Sequence, residues 1–477
     1  MKRKYVALML IGVMLFSIGL TSGCATQKKE VSETEVTKVT AMEKEEAHAV
    51  SFNFIGGRDV MPIGGFYGPS LYNFCWDGNQ LPDAFSDEMM QLIKESGVNL
   101  ITHSQILTAT TMDVAYKLLE QAEKYGIGVF SIDATVARRG DNALSSTQIA
   151  ERIAKQMQYD SYCGIYLVDE PATSYFYAEF DNKYIESFKN VADVMHNQLG
   201  LMTYGNLFPM GTVKNKDIYE DYVKEYVETV NPPYLMWDEY PFNEVYGGDM
   251  QPYIIAMSIL SKNAKENEIP FWTSIQAGDQ WGKGATDSEL PYWPNEAQFD
   301  WNINTGLAYG AKGLQYYTLN GVANDLMDSE GGLDPYRASI VGVMGNKTQW
   351  FYYAQNINKH IASMDHILMN SVHKGVIIKG EQAEKDFTGA YEVLKGEKFQ
   401  ELQSVNGDEV MIGCFNYNGK TALYVVNYDM EYAQNITLHF NEKHNITMTQ
   451  AAETSYVNTN ALTLDMAAGE GVLLVIE

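Results

Sequence analysis

Residues 112–133 read MDVAYKLLEQAEKYGIGVFSID. Ala115, Leu118, Leu119 and Ala122 recur three and four residues apart, which makes one side of a helix apolar. Gly126 follows, where a helix C-terminus favours a residue at ease with positive φ. Residues 128–133 are then short, apolar and β-prone, and they end on Asp133. The same order of helix, glycine and strand recurs outward in both directions. Strands are expected at 60–67, 99–105, 128–133, 164–169, 201–206, 234–239, 271–276 and 313–318. Helices are expected between and after them at 86–96, 112–125, 146–159, 183–199, 218–230, 253–267, 296–309 and 336–361. Eight such units predict an α/β fold, a (β/α)8 TIM barrel over residues 53–364. The count favours closure over an open doubly wound sheet with the same local pattern.

Past residue 364 the texture changes. Segments 410–417, 421–428, 435–440 and 471–476 alternate or run β-branched, and Asn418-Gly419 between the first two is a strong hairpin signal. Residues 365–477 are therefore expected to form a C-terminal all-β sandwich domain.

The start of the chain is of another kind. Lys2, Arg3 and Lys4 precede an apolar run over 5–20, and Leu20-Thr21-Ser22-Gly23-Cys24 follows. A charged start, an apolar run and small residues mark a secretory signal peptide over 1–23. The run falls short of the roughly 20 residues that a membrane span needs. Its ending resembles a bacterial lipobox. That resemblance implies lipidation of Cys24, a cell-membrane anchor and an extracytoplasmic body. Residues 25–50 hold no aromatic side chain and little apolar surface, so 24–52 reads as a disordered tether.

Composition bounds the partners. The 34 Lys+Arg against 61 Asp+Glu give −27, which becomes −30 once Lys2, Arg3 and Lys4 leave with the signal. Phosphate binding needs clustered cations, so nucleic acid and anionic polymers are disfavoured, while neutral sugars stay open. Beyond Cys24, the scattered Cys75, Cys163 and Cys414 form neither a disulfide framework nor a metal cluster, and they read as buried thiols. The acidic loop 324–334 lacks EF-hand spacing, and Gly64-Gly65 lacks the lysine of a phosphate loop. No metal or other cofactor is expected.

In a barrel of this kind the chemistry sits where strands end. The fourth expected strand ends Val168-Asp169-Glu170-Pro171, and the sixth ends Trp237-Asp238-Glu239-Tyr240-Pro241. Others end near His103, at Asp133, at Asn206, at Gln276 and at Tyr316-Tyr317. A lone acidic strand end is as easily a helix cap or a loop ion pair. Two acidic pairs, each closed by proline, favour a shared site. Two carboxyl groups across a cleft are what glycosidic cleavage requires: one protonates the leaving oxygen, and the other attacks or activates water. Adjacent strand residues face opposite ways, so only one of Asp238 and Glu239 aims inward from a regular strand. Glu239 is slightly preferred as second carboxylate, with Asp238 its rival. Trp281 and Trp293, set among Gly, Pro and Asp after the seventh strand, are candidate sugar platforms. Trp237 and Trp272, within strands, read equally as core.

The barrel-then-sandwich order, the strand IYLVDEP and the segment EAQFDWNINTGLAYGAKGLQYYTLNG resemble clan-A glycoside hydrolases. The nearest members are the β-galactosidase-type enzymes and related glycosidases of gut bacteria. The resemblance covers about residues 55 to 477 in architecture. It implies that Glu170, the glutamate ending the fourth strand, is the acid/base. The chain departs from the pattern at two positions. Asp169 stands where the clan usually has asparagine, and Gln276 stands where its nucleophilic glutamate ends the seventh strand.

The leading expectation is an extracytoplasmic glycoside hydrolase working by two carboxylates on an oligo- or polysaccharide. Glu170, Glu239 and Asp238 are its catalytic candidates. Asp169, His103, Asp133, Asn206, Tyr240, Gln276, Trp281, Trp293 and Tyr316 are its candidate substrate contacts. Gln276 motivates the alternative, a catalytically inactive carbohydrate-binding surface lipoprotein. A transporter's solute-binding lipoprotein is the third reading, and it would carry two α/β lobes without a terminal sandwich.

Overall fold

The computed structural model describes residues 46–69, 83, 85–102, 112–136, 138–171, 182–213, 215–242, 249–278, 294–320, 339–342 and 344–477. Strands β1 (Ile63–Phe66), β2 (Leu100–Thr102), β3 (Gly128–Ser131), β4 (Tyr162–Asp169), β5 (Met202–Asn206), β6 (Leu235–Trp237), β7 (Phe271–Gln276) and β8 (Leu314–Tyr317) form one parallel sheet. Their order is β5-β4-β3-β2-β1-β8-β7-β6. The two end strands meet at a bridge between Leu207 and Trp237, where the Leu207 amide donates to the Met236 carbonyl at 2.9 Å. The sheet is thus a nearly closed eight-stranded barrel.

Helices α1 (Asp87–Glu95), α2 (Met112–Tyr125), α3 (Ser146–Ile153), α4 (Asn182–Asp193), α5 (Met210–Val213), α6 (Lys216–Val230), α7 (Gln251–Glu266) and α8 (Glu296–Ala308) alternate with the strands. In α2 the buried face includes Ala115, Leu118, Leu119 and Ala122, the four residues of the sequence pattern. Gly97 and Gly126 take φ of 85° and 68° just past α1 and α2, and there an added Cβ would be strained. The helix expected at 183–199 changes character near its end. Residues Val194–Gln198 form a π turn, and the ring of His196 lies 3.1 Å from the Thr203 hydroxyl. The helix expected at 336–361 begins later, as α9 (Gln349–Ala362). Thr348 caps it by accepting from the Phe351 amide, and residues 339–342 and 344–347 are not helical.

Because the barrel is buried on both sides of its wall, its strands alternate between two cores. Leu100, Phe130, Tyr204, Met236 and Trp272 point into the barrel. Ile101, Val129, Leu235, Trp237 and Phe271 point out to the helices. Val50, Phe52 and Ile55 close the end where the strands begin. Phe52 sets its ring edge-on to Phe130 and Trp272, with centroids 5.9 and 6.1 Å apart.

After α9 comes α10 (Asp365–Met369), then an antiparallel domain with one short helix, α11 (Glu381–Asp386). Its strands are β9 (Ser371–Lys379), β10 (Leu402–Asn406), β11 (Val410–Tyr417), β12 (Lys420–Asn427), β13 (Gln434–Gln450), β14 (Glu453–Met466) and β15 (Gly471–Ile476). Asn418, at φ 52°, and Gly419 make the expected hairpin turn between β11 and β12. One face of this sheet closes on itself around Ile412, Leu423, Val425, Leu438 and Leu474. The other face, with Met411, Phe415, Tyr424 and Val475, joins the outer core of the barrel. Cys163 and Cys414 are buried, while Cys75 lies outside the described residues.

Candidate active site

The acidic strand ends converge through an irregularity in β4. Tyr166 pairs with Tyr204 and both rings lie inside the barrel, stacked at 5.2 Å. The register then slips, so that Val168 opposes Gly205 and Asp169 opposes Asn206. Leu167 and Val168 both turn to the outer core. One extra residue resets which face the strand presents. Asp169 consequently aims inward, and the Asn206 amide nitrogen donates to its Oδ1 at 2.9 Å.

Glu170 follows at φ 47°, a left-handed backbone that non-glycine residues seldom adopt. Its amide donates to the Asn206 carbonyl at 2.8 Å, which holds the turn in place. In β6 the alternation is regular: Tyr234 and Met236 face in, Leu235 and Trp237 face out. Asp238 therefore continues the inner face. Its carboxyl comes within hydrogen-bonding reach of Glu170 and of the Asn206 side chain.

Three carboxyl groups so placed cannot all ionise cheaply. Asp169 is open to solvent, yet surrounding protein lifts it to about 6, with Asn206 pulling the other way. Burial and then the charge of Asp169 push Glu170 up to about 7, partly opposed by its hydrogen bond with Asp238. Burial first, then Asp169 and Glu170, hold Asp238 well above the ordinary carboxylate range. The cluster retains at least one proton near neutrality beside an ionised neighbour. That is the pairing acid–base chemistry uses.

Aromatic rings surround the acids. Phe66 packs on Tyr166, Tyr204 and Tyr317, with centroids 6.3, 5.6 and 5.6 Å away. Tyr67, Tyr240 and Tyr317 are half-buried, and Tyr240 lies 5.2 Å from Tyr317. Of these rings, the sequence offered Tyr240 as a contact and Tyr317 only as the end of a strand beside Tyr316; the others were not singled out. Strand parity is the signal that would have found Tyr317 in place of its neighbour.

The remaining candidates are placed elsewhere. Glu239 points outward and is buried, accepting from the Met210 amide at 3.1 Å and the Gly211 amide at 2.7 Å at the start of α5. Of the sixth-strand pair it is Asp238, rather than the slightly preferred Glu239, that meets Glu170. Asp133 also faces out, paired with Arg152 at 2.5 Å and accepting from the Thr135 amide at 2.9 Å. Tyr316 faces the helices, stacking on Phe299 and donating to Asn358 at 2.6 Å. Gln276 braces the chain after β6: its side chain donates to the Phe242 carbonyl at 2.8 Å and accepts from the Phe242 amide at 3.1 Å. A glutamate there would set a carboxylate against that carbonyl, which explains the amide. Trp237 and Trp272 are fully buried core residues. His103, Trp281 and Trp293 lie outside the described residues, as do Cys24 and the loop 324–334. Among the described residues, no group of three acidic, histidine or cysteine side chains is arranged to hold a metal.

No family model and no curated protein matches this chain. Solved structures similar in fold include Eubacterium rectale Amy13B, at 12% identity over 92% of this chain and 99% of that one, TM-score 0.48. A β-galactosidase from the psychrophilic Marinomonas ef1 is similar at 9% identity over 69% and 66%, TM-score 0.45. A glucosidase from Croceicoccus marinus is similar at 10% identity over 88% and 97%, TM-score 0.41. These likenesses carry no inference about what this chain does.

Proposed function

We propose that this protein is an extracytoplasmic glycoside hydrolase, with Glu170 as general acid/base and Asp238 as the second carboxylate. The observation that carries this reading is the convergence of Asp169, Glu170 and Asp238 at the ends of β4 and β6, under half-buried tyrosines. Glu170 protonates the leaving oxygen. Positive charge developing at the anomeric carbon favours the ionised form of Asp238, which then stabilises that charge or activates water. Asp169, held by Asn206, contacts sugar hydroxyls. The terminal β-sandwich sets the architecture apart from a two-lobed solute-binding protein.

The test is hydrolysis of a glycan panel by wild type and Glu170→Gln. Loss of about 10²-fold or more is expected, and undiminished cleavage would reject the assignment. The pH profile follows from the site. Activity falls as Glu170, the proton donor, loses its proton above about 7. Where residual activity of the Gln variant is measurable, the alkaline fall disappears. Binding of glycans with no turnover of any would instead favour the carbohydrate-binding alternative.

Lipidation of Cys24 places the barrel at the membrane surface in this proposal. Cys24→Ala is expected to shift the protein from the membrane fraction to the soluble fraction and to abolish incorporation of labelled fatty acid. Retention of label by the variant would overturn it.

A further inference from the structure

The polar atoms of the site are one-sided. Asp169, Glu170 and Asp238 present carboxyl oxygens, and among the described residues no cation acts on Asp169 or Glu170. Asn206 is 2% exposed, and its side-chain oxygen is buried without a hydrogen-bond partner. The orphaned oxygen of Asn206 beside three carboxyls leaves the described residues of the site short of donors and of positive charge. Such an acceptor is costly to bury unless a ligand satisfies it. An uncharged hydroxyl brings one donor and no charge. A protonated amine brings three donors and a full charge, and so matches both deficits. A uronate or a sulfated sugar brings the wrong sign. An N-acetyl group brings one donor, an extra acceptor and no charge. Among the described residues, the side chains are not arranged to hold a divalent cation.

We propose that the sugar taken by this site carries a free amino group, a 2-amino-2-deoxy hexose or a sugar of the same chemistry, held by Asp169, Asp238 and Asn206. The inference rests on the glycosidase reading above, and its test separates the two. Calorimetric titration of the wild-type protein uses glucosamine, galactosamine and mannosamine. Each is compared with its neutral parent, its N-acetyl form and glucuronic acid. The free amine is expected to bind ~10-fold tighter than the neutral parent at low salt, with the preference shrinking as ionic strength rises. Asp169→Asn and, independently, Asp238→Asn are expected to erode the preference without abolishing the fold, read by circular dichroism. Equal or tighter binding of the neutral or N-acetyl sugars overturns the proposal. A wild-type amine preference with no hydrolysis of aminated glycosides leaves the proposal standing and removes the hydrolase reading. Hydrolysis of neutral glycosides with no amine preference does the reverse.

Discussion

Asp238 is raised by its own burial and by two other carboxyl groups, so exchanging it for isosteric asparagine removes repulsion together with a catalytic group. Asp238→Asn is expected to keep or raise the melting temperature while lowering kcat by about 10²-fold or more. Its neighbour behaves oppositely. Glu239→Ala strips two buried amides at Met210 and Gly211 of their acceptor, which costs about 1–3 kcal/mol, with kcat changed only a few-fold. Thermal melts and kinetics on the pair decide the matter, and a stability loss confined to Asp238→Asn would contradict the placement. The sequence showed that only one of the two faces inward. It did not show which, because Tyr234 and Met236 on one face are as apolar as Leu235 and Trp237 on the other. A strand buried on both sides carries no polar–apolar alternation to orient it. Asp169 was harder still, since the slip after Tyr166 that turns it inward leaves no mark in IYLVDEP.

Elements with an apolar period or an unbroken apolar run were legible, and elements without one were not. The helix of 112–125 and the strands of 271–276, 410–417 and 471–476 stand where their patterns placed them. The long ribbon of β13 and β14 was mostly missed. Residues 453–461 are exposed or half-exposed throughout, and their Thr- and Asn-rich run has no apolar period. The early start read for α9 has a different cause. Residues 336–348 are apolar enough to pass for helix, but Gly345 takes φ 74° and Thr348 stops the pattern by capping. The Thr348 hydroxyl also donates to the Ser339 carbonyl at 2.6 Å, tying the helix start to the segment after β8. Thr348→Ala is therefore expected to cost about 1–2 kcal/mol in denaturant unfolding, and Thr348→Ser to recover most of it. Equal losses in both variants would show that the hydroxyl is not what matters.

Barrel and sandwich share one core. The side chain of Asn304 on α8 is buried, donating to the Gly469 carbonyl at 2.8 Å and accepting from the Tyr424 hydroxyl at 2.8 Å. Trp301 on the same helix sits edge-on to Tyr428, with centroids 5.3 Å apart. One close approach is at Gly413 in β11, where an added Cβ would fall 2.2 Å from the Ala308 carbonyl oxygen. That neighbour is helix backbone and cannot swing aside, so any side chain there must lift the sheet from α8. A sheet lifted from α8 would expose Met411, Phe415, Tyr424 and Val475 to water, at about 1.5–3 kcal/mol for each large side chain uncovered. The wild-type protein is accordingly expected to unfold in one calorimetric transition, with calorimetric and van't Hoff enthalpies equal. Gly413→Val is expected to lower that transition by several degrees or to split it, the sandwich melting apart from the barrel. An unchanged single transition in the variant would mean that the seam yields without loss. The two domains would then have to be treated as separately stable bodies, although the site itself is built wholly from the barrel.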